Sequence, residues 1–115
     1  MNTIPRIGAG TFRLQDQVAY DAVTNALAVG YRHIDTAQMY GNEKQVGQAI
    51  FDSGVICDEV FITTKIAYGV SDDDLIASLR QSADDLQVDQ VDLTLIHWPP
   101  TGGIDAVKRQ VERLA

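Results

Sequence analysis

Four times along this chain of 115 residues a short apolar or β-branched run is followed by an amphipathic helical stretch, with short connections between them. Residues 4–9 (IPRIGA) read as a first strand bounded by glycine. From Gln17 to Val29 the apolar residues Val18, Ala22, Val23, Ala26 and Leu27 recur at helical spacing, with Asp16 as N-cap and Gly30 as the residue just past the end. Residues 31–35 (YRHID) form a second strand. A second helix is expected from Asn42 as N-cap through Val46, Ala49 and Ile50 to Gly54. Residues 60–66 (VFITTKI) suit a buried strand. Ser71 with Asp74 resembles a capping box, and Leu75, Ile76, Leu79, Ala83 and Leu86 follow as one stripe. Residues 91–98 (VDLTLIHW) form a fourth strand that ends at Pro99 and Pro100. A last helix carries Ile104, Val107, Val111 and Leu114 on one face and stops at Ala115.

Strictly alternating strands and helices with short links imply an α/β fold whose parallel sheet is built from right-handed crossovers. Two architectures fit. A doubly wound sheet that binds a dinucleotide normally shows G-x-G-x-x-G after its first strand. Here Gly8-Ala9-Gly10-Thr11-Phe12-Arg13 has two glycines and then an arginine, so the fingerprint fails. The alternative is a TIM (β/α)8 barrel, which takes about 250 residues. Four β/α units are the N-terminal half of one, and residues 1–115 read as a single half-barrel domain without repeat, linker or low-complexity segment.

The net charge of −7 argues against nucleic acid as a partner, since phosphate binding needs clustered Lys and Arg. No apolar run approaches the ~18 residues that span a bilayer, and the opening MNTIPRIGAG lacks the regions of a signal peptide. The single cysteine, Cys57, has no partner for an internal disulfide. Its neighbour Asp58 offers none of the positive charge that activates a thiol. These features suit a cytoplasmic protein in a reducing compartment.

In a barrel the side chains at the C-terminal ends of the strands face the active site. Asp35 closes the second strand, and Tyr40 follows in the next loop. Lys65 lies near the end of the third strand and His97 near the end of the fourth. No cluster has metal-ligand spacing, and no serine sits in a nucleophile elbow. A free tyrosine hydroxyl, with a pKa near ~10, is poorly matched as an acid at neutral pH, and a lysine ammonium beside it favours the phenolate. An aspartate would keep that lysine charged and in place, while a histidine could orient a carbonyl oxygen. Such a set serves an oxygen that gains negative charge, as in hydride addition to a carbonyl.

The segments that carry these residues resemble the aldo-keto reductases. They are Gly8-Ala9-Gly10-Thr11-Phe12, Gly30-Tyr31-Arg32-His33-Ile34-Asp35-Thr36-Ala37 leading to Tyr40-Gly41-Asn42-Glu43, Thr63-Thr64-Lys65, and residues 91–99. The resemblance covers nearly the whole chain but only the N-terminal half of that family's barrel. It is similar above all to bacterial 2,5-diketogluconate reductases, which also reduce small ketoaldehydes such as methylglyoxal. By that resemblance Asp35, Tyr40, Lys65 and His97 match a catalytic tetrad with Tyr40 as general acid. Gly10, Thr11, Phe12 and Asp35 would lie beside the cofactor NADPH, and Tyr40, His97 and Trp98 beside a small carbonyl substrate. Family members usually carry an aromatic residue two positions after the lysine, where this chain has Ala67 followed by Tyr68. Most cofactor contacts would come from the second half of the barrel.

Ordinary roles exist for each residue alone. A lysine can end a strand in solvent, a histidine can be a satisfied core residue, and Tyr40 and Trp98 can be packing aromatics. His33 lies mid-strand and receives no role. Two other functional classes stand beside the reductase. One is a Schiff-base lyase with Lys65 as nucleophile. The other is a non-catalytic interaction module that docks through open sheet edges. Four strands cannot close a barrel, so the inner face is expected to meet water and the free edges to favour self-association. A homodimer of half-barrels satisfies symmetry, yet it would not recreate the second half's cofactor groups.

Overall fold

The computed structural model describes residues 3–115. Four strands form one parallel sheet in chain order: β1 (Ala9–Gly10), β2 (His33–Asp35), β3 (Phe61–Ile66) and β4 (Leu93–Ile96). The helices α1 (Asp16–Ala28), α2 (Glu43–Asp52), α3 (Leu75–Leu86) and α4 (Gly103–Leu114) alternate with them. Ile34 aligns with Ala9 on one side and Ile62 on the other, and Thr64 aligns with Thr94. This is the α/β half-barrel order that the alternation implies.

Because strand side chains alternate, Ile34 and Ile62 face the helices while Asp35 and Lys65 face the concave side. The core lies in the helical layer, where Val23, Leu27, Val46, Ala49, Ile50 and Leu86 pack on Ile34, Val60 and Ile62. Helices α2 and α3 approach so closely that a Cβ on Gly47 would lie 2.5 Å from the Asp85 carbonyl oxygen. Glycine is therefore the residue that lets these two helices meet. Helix α1 ends as expected at Gly30: the Gly30 N–H donates to Leu27 O at 3.2 Å and the Tyr31 N–H to Ala26 O at 2.9 Å.

Three local expectations need correction. The first strand is two residues long rather than spanning 4–9, because among the described residues β1 pairs with β2 alone and residues 4–8 have no strand to pair with. Gln15 is the N-cap of α1, and Asp16 is already inside the helix with φ 49°, a left-handed value that aspartate tolerates better than most residues. Ser71 and Asp74 do not form a capping box. The Ser71 hydroxyl donates to the Asp74 carboxylate at 2.9 Å, and a 3-10 turn at Asp72–Asp74 precedes α3.

The concave face is partly closed. His33 Nε2 lies 2.8 Å from Thr63 Oγ1, and Phe61 meets the His33 ring edge-on. Phe61 and Thr63 are buried, so the centre of that face is shielded while Leu95 at its free edge is exposed. The last helix is different again. Arg109 and Arg113 tie α4 to Asp72 and Asp73, and α4 lies against α3. Between α3, β4 and α4 an apolar groove of about 790 Å³ remains, lined by Ile76, Leu79, Val91, Leu95, Val107 and Val111. Among the described residues no helix is long and apolar enough to cross a membrane.

Candidate active site

The strand ends on the concave side hold one connected group. Lys65 points from β3 toward β2, where its ammonium is paired with Asp35 Oδ1 and donates to Thr36 O at 3.0 Å. It also lies 3.2 Å from the Tyr40 hydroxyl oxygen and 5.0 Å from the centre of the Tyr40 ring. All three ammonium hydrogens thus have an acceptor in reach. His97, just past β4, meets the Tyr40 ring edge-on at 5.6 Å. The structure therefore brings together Asp35 and Tyr40 from the end of β2 and the loop after it, Lys65 from β3, and His97 from just past β4.

Local sequence explains how Tyr40 reaches this place. Residues Gln38–Tyr40 form a 3-10 turn that closes on Gly41 with φ 68°, a conformation that costs glycine little. The turn is held on both sides. The Gln15 amide donates to Tyr40 O at 2.9 Å. On the other side Gln38 accepts from the Ala67 N–H at 2.8 Å and donates to Ser78 and Ser82 on α3. The side chain thus spans the loop after β2, the loop after β3 and a helix.

Beneath the turn lies a buried polar network. The Thr11 hydroxyl donates to Thr36 Oγ1 at 2.9 Å, and Thr36 donates to Asn42 Oδ1 at 2.9 Å. The Asn42 amide then donates to the carbonyls of Thr11 and Leu14 at 2.8 and 2.9 Å. Asn42 stands at the N-cap position of α2, as expected, but its side chain bonds the β1 loop instead of capping the helix. Glu43, the first residue of α2, is buried and accepts from Thr64 at 2.7 Å and Ser82 at 3.0 Å. Its carboxyl pKa is raised by burial and by Asp85, against the lowering effect of the two hydroxyl donors.

The residues expected beside a cofactor divide into two kinds. Gly10 at the end of β1 has open space around it, and the Phe12 ring is 61% exposed, 5.2 Å from the Tyr40 ring. Thr11 between them is buried, with both its N–H and its hydroxyl bonded inward. Trp98 is 58% exposed and stacks on His97 at 5.9 Å, forming one wall. Tyr68, in the loop after β3, is exposed, with its hydroxyl 3.2 Å from Thr101 Oγ1. His97 Nδ1 is buried without a protein partner, which leaves Nε2 as the nitrogen that can meet an incoming oxygen.

A parallel four-unit half-barrel with this cluster at its strand ends is also what the comparisons with known proteins find. The aldo/keto reductase family model matches residues 6–102, and the chain belongs to that family. It is 61% identical over 98 residues to methylglyoxal reductase DkgB of Yersinia pestis, covering 84% of this chain and 37% of that protein. It is 52% identical over 113 residues to the Salmonella typhi protein of the same name, covering 97% and 42%. Among solved structures, an aldo/keto reductase from Brucella melitensis superposes with TM-score 0.90 at 38% identity, over 96% of this chain and 42% of that one. A putative 2,5-diketo-D-gluconic acid reductase B superposes with TM-score 0.88 at 42% identity, over 96% and 39%. The chain spans about two-fifths of the length of these relatives.

Sequence reading missed Gln38 and Glu43 and misassigned the side chain of Asn42. Each makes its key bonds to residues at least 21 positions away. No local pattern encodes such partners. The one available signal was density of polar residues in the stretch from Thr36 to Glu43, more than a short loop needs.

Proposed function

We propose that this chain supplies the acid and carbonyl-orienting half of an NADPH-dependent reductase of small aldehydes and ketones. The observation that carries the reading is the single cluster in which the Lys65 ammonium touches Asp35, Thr36 O and the Tyr40 hydroxyl. NADPH, when bound, supplies the hydride that adds to the carbonyl carbon. Tyr40 donates the proton to the carbonyl oxygen. The phenolate left behind is stabilised by the ammonium 3.2 Å away. Asp35 and Thr36 O keep Lys65 charged and fixed, and His97 orients the oxygen through Nε2. Solvent then returns the proton to Tyr40.

The residues present fit one end of that cofactor. Gly10 offers an open approach, Phe12 an exposed ring and Asp35 a partly exposed carboxylate, with Thr11 anchoring the loop from inside. Trp98 and Tyr68 bound the substrate side, and Ala67 leaves that wall lower than an aromatic residue would. A small ketoaldehyde such as methylglyoxal, or a keto sugar acid, suits so open a cup, and the names of the relatives support both. A cytoplasmic setting goes with the reading. The lyase alternative is disfavoured because a lysine whose three ammonium hydrogens are all engaged is a poor nucleophile.

The test joins residues 1–115 to the remaining part of the Yersinia pestis methylglyoxal reductase. The proposal expects this chimera to oxidise NADPH when methylglyoxal is added. A chimera that folds and binds NADPH but reduces no aldehyde or ketone in a panel would sink it.

A further inference from the structure

A ring of hydrogen bonds runs behind the site and closes on itself. Thr64 in β3 donates its hydroxyl to Glu43 Oε2 at 2.7 Å, and Ser82 in α3 donates to Glu43 Oε1 at 3.0 Å. The Gln38 amide nitrogen donates to Ser82 Oγ at 3.1 Å, and its carbonyl accepts from the Ala67 N–H at 2.8 Å. Ala67 lies three residues beyond Thr64 (67 − 64), just past the end of β3, so the path returns to the strand it left. The members come from the loop after β2, from α2, from β3 and from α3, neighbours in this chain that pack on one another. Thr64, Glu43 and Ser82 are buried, and Gln38 is half-buried.

This ring carries both partners of one contact in the site. Lys65 stands inside the arc from Thr64 to Ala67, and Tyr40 lies in the same 3-10 turn as Gln38. Gln15 holds that turn through the Tyr40 carbonyl. Apart from Lys65 itself, Gln38 is the side chain that ties the turn to the end of β3.

The ring also asks for glutamine in particular. The Ala67 N–H can only donate, so it takes the Gln38 oxygen. The hydroxyl hydrogen of Ser82 is spent on Glu43 and that of Ser78 on Leu75 O, so both serines offer lone pairs to the Gln38 nitrogen. An amide has two N–H donors and an acceptor at one tip, which meets all three demands. A carboxylate accepts from Ala67 but has no hydrogen for the serines, and an asparagine is one methylene short.

We propose that Gln38 is a positioning residue, the clamp that fixes where the Tyr40 hydroxyl stands relative to Lys65. The proposal rests on the reading of Tyr40 as the proton donor. Gln38 touches neither substrate nor cofactor in this account; it acts by holding the Tyr40 turn and the β3 end as one unit.

The test has two arms. Amide exchange is followed by NMR on the unsubstituted 115-residue chain, where one clamp should make the Tyr40 and Ala67 N–H groups open together, with protection equal within about threefold. Gln38→Met, which keeps the length and removes the bonds, should lower protection at both. An Ala67 N–H that exchanges about tenfold faster than that of Tyr40 in the unsubstituted chain would overturn the clamp. The second arm uses the chimera. A misplacement of about 1 Å can cost on the order of a hundredfold, so Gln38→Met should slow single-turnover reduction of methylglyoxal by about ten- to a hundredfold, with NADPH affinity unchanged. Gln38→Glu still accepts from Ala67 and sets a second carboxylate near Glu43, so it should keep more of the rate than Gln38→Met while being no more stable in urea. Rates that merely follow the unfolding midpoints, or a Gln38→Met rate equal to the parent's, would overturn the positioning role. A chimera that binds NADPH and reduces nothing would defeat the proposed function alone, and the exchange arm would still decide Gln38.

Discussion

Replacing Asn42 with alanine separates two loops that the site needs together. The side chain makes three bonds: two donated to the carbonyls of Thr11 and Leu14, and one accepted from Thr36, all buried except the half-buried one to Leu14. Asn42, Thr11 and Thr36 are each almost fully buried, so water does not readily replace what is lost. A buried polar group left without a partner costs about 1–3 kcal/mol. Thr36 keeps its bond from Thr11, and the Thr11 carbonyl keeps the Leu14 N–H at 3.2 Å, so the burden falls on the Leu14 carbonyl, for a total of about 1–3 kcal/mol. With a urea m-value of about 2 kcal/mol per molar, the midpoint should fall by roughly 0.5–1.5 M in a circular-dichroism titration. Hydrogen exchange should also rise at residues 11–15 and 36–42, before it rises in the β3 core. A loss below ~0.5 kcal/mol, or exchange unchanged in both loops, would refute the view that this network joins the Phe12 loop to the Tyr40 loop.

Further outcomes follow from neighbouring features. Gly47→Ala should destabilise by about 2 kcal/mol or more in the same titration, because its Cβ would meet the Asp85 carbonyl at 2.5 Å and force α2 from α3. Glu43 has a raised folded-state pKa, so the folded chain holds its proton more tightly than the unfolded chain. Its unfavourable ionisation should therefore lower stability as pH rises from the ordinary carboxylate value through the raised one. Glu43→Gln should flatten that part of the stability–pH curve measured by urea melts, and an unchanged slope would count against it. In the chimera, Lys65→Met should lower kcat for methylglyoxal by about a hundredfold or more, as loss of a group that stabilises developing negative charge does. A loss confined to KM would assign Lys65 to binding instead.

What the sequence disclosed, and what it withheld, follows from how far each signal reaches. The helices α1 to α3 and the strand β3 were legible because periodicity and β-branched runs are local. Asp35, Tyr40, Lys65 and His97 were legible because a parallel half-barrel sends every strand end to one face. The first strand was overestimated because residues 4–8 have strand chemistry but no neighbour, and pairing is not a local property. Asp16 lies one residue inside α1 rather than at its N-cap, and Asn42 holds the expected N-cap position of α2, but neither its side chain nor that of Ser71 caps a helix. Short polar side chains bond whichever group is nearest: Asn42 found the β1 loop and Ser71 found the Asp74 carboxylate. Thr11 was expected beside a cofactor, and its hydroxyl is bonded into the core. The stripe of α4 was read correctly as amphipathic, but Ile104 and Val111 in it are exposed while Ala106 and Gln110 are buried.

The central claim is that Tyr40 acts as the acid, supported by Lys65. The most direct test is Tyr40→Phe in the chimera, which removes one hydroxyl and keeps the ring against Phe12 and His97. Single-turnover reduction of methylglyoxal should slow by about 10²–10⁴-fold, the usual worth of a positioned proton donor, with NADPH affinity unchanged. A rate within a few-fold of the parent, at equal NADPH occupancy, would contradict the account.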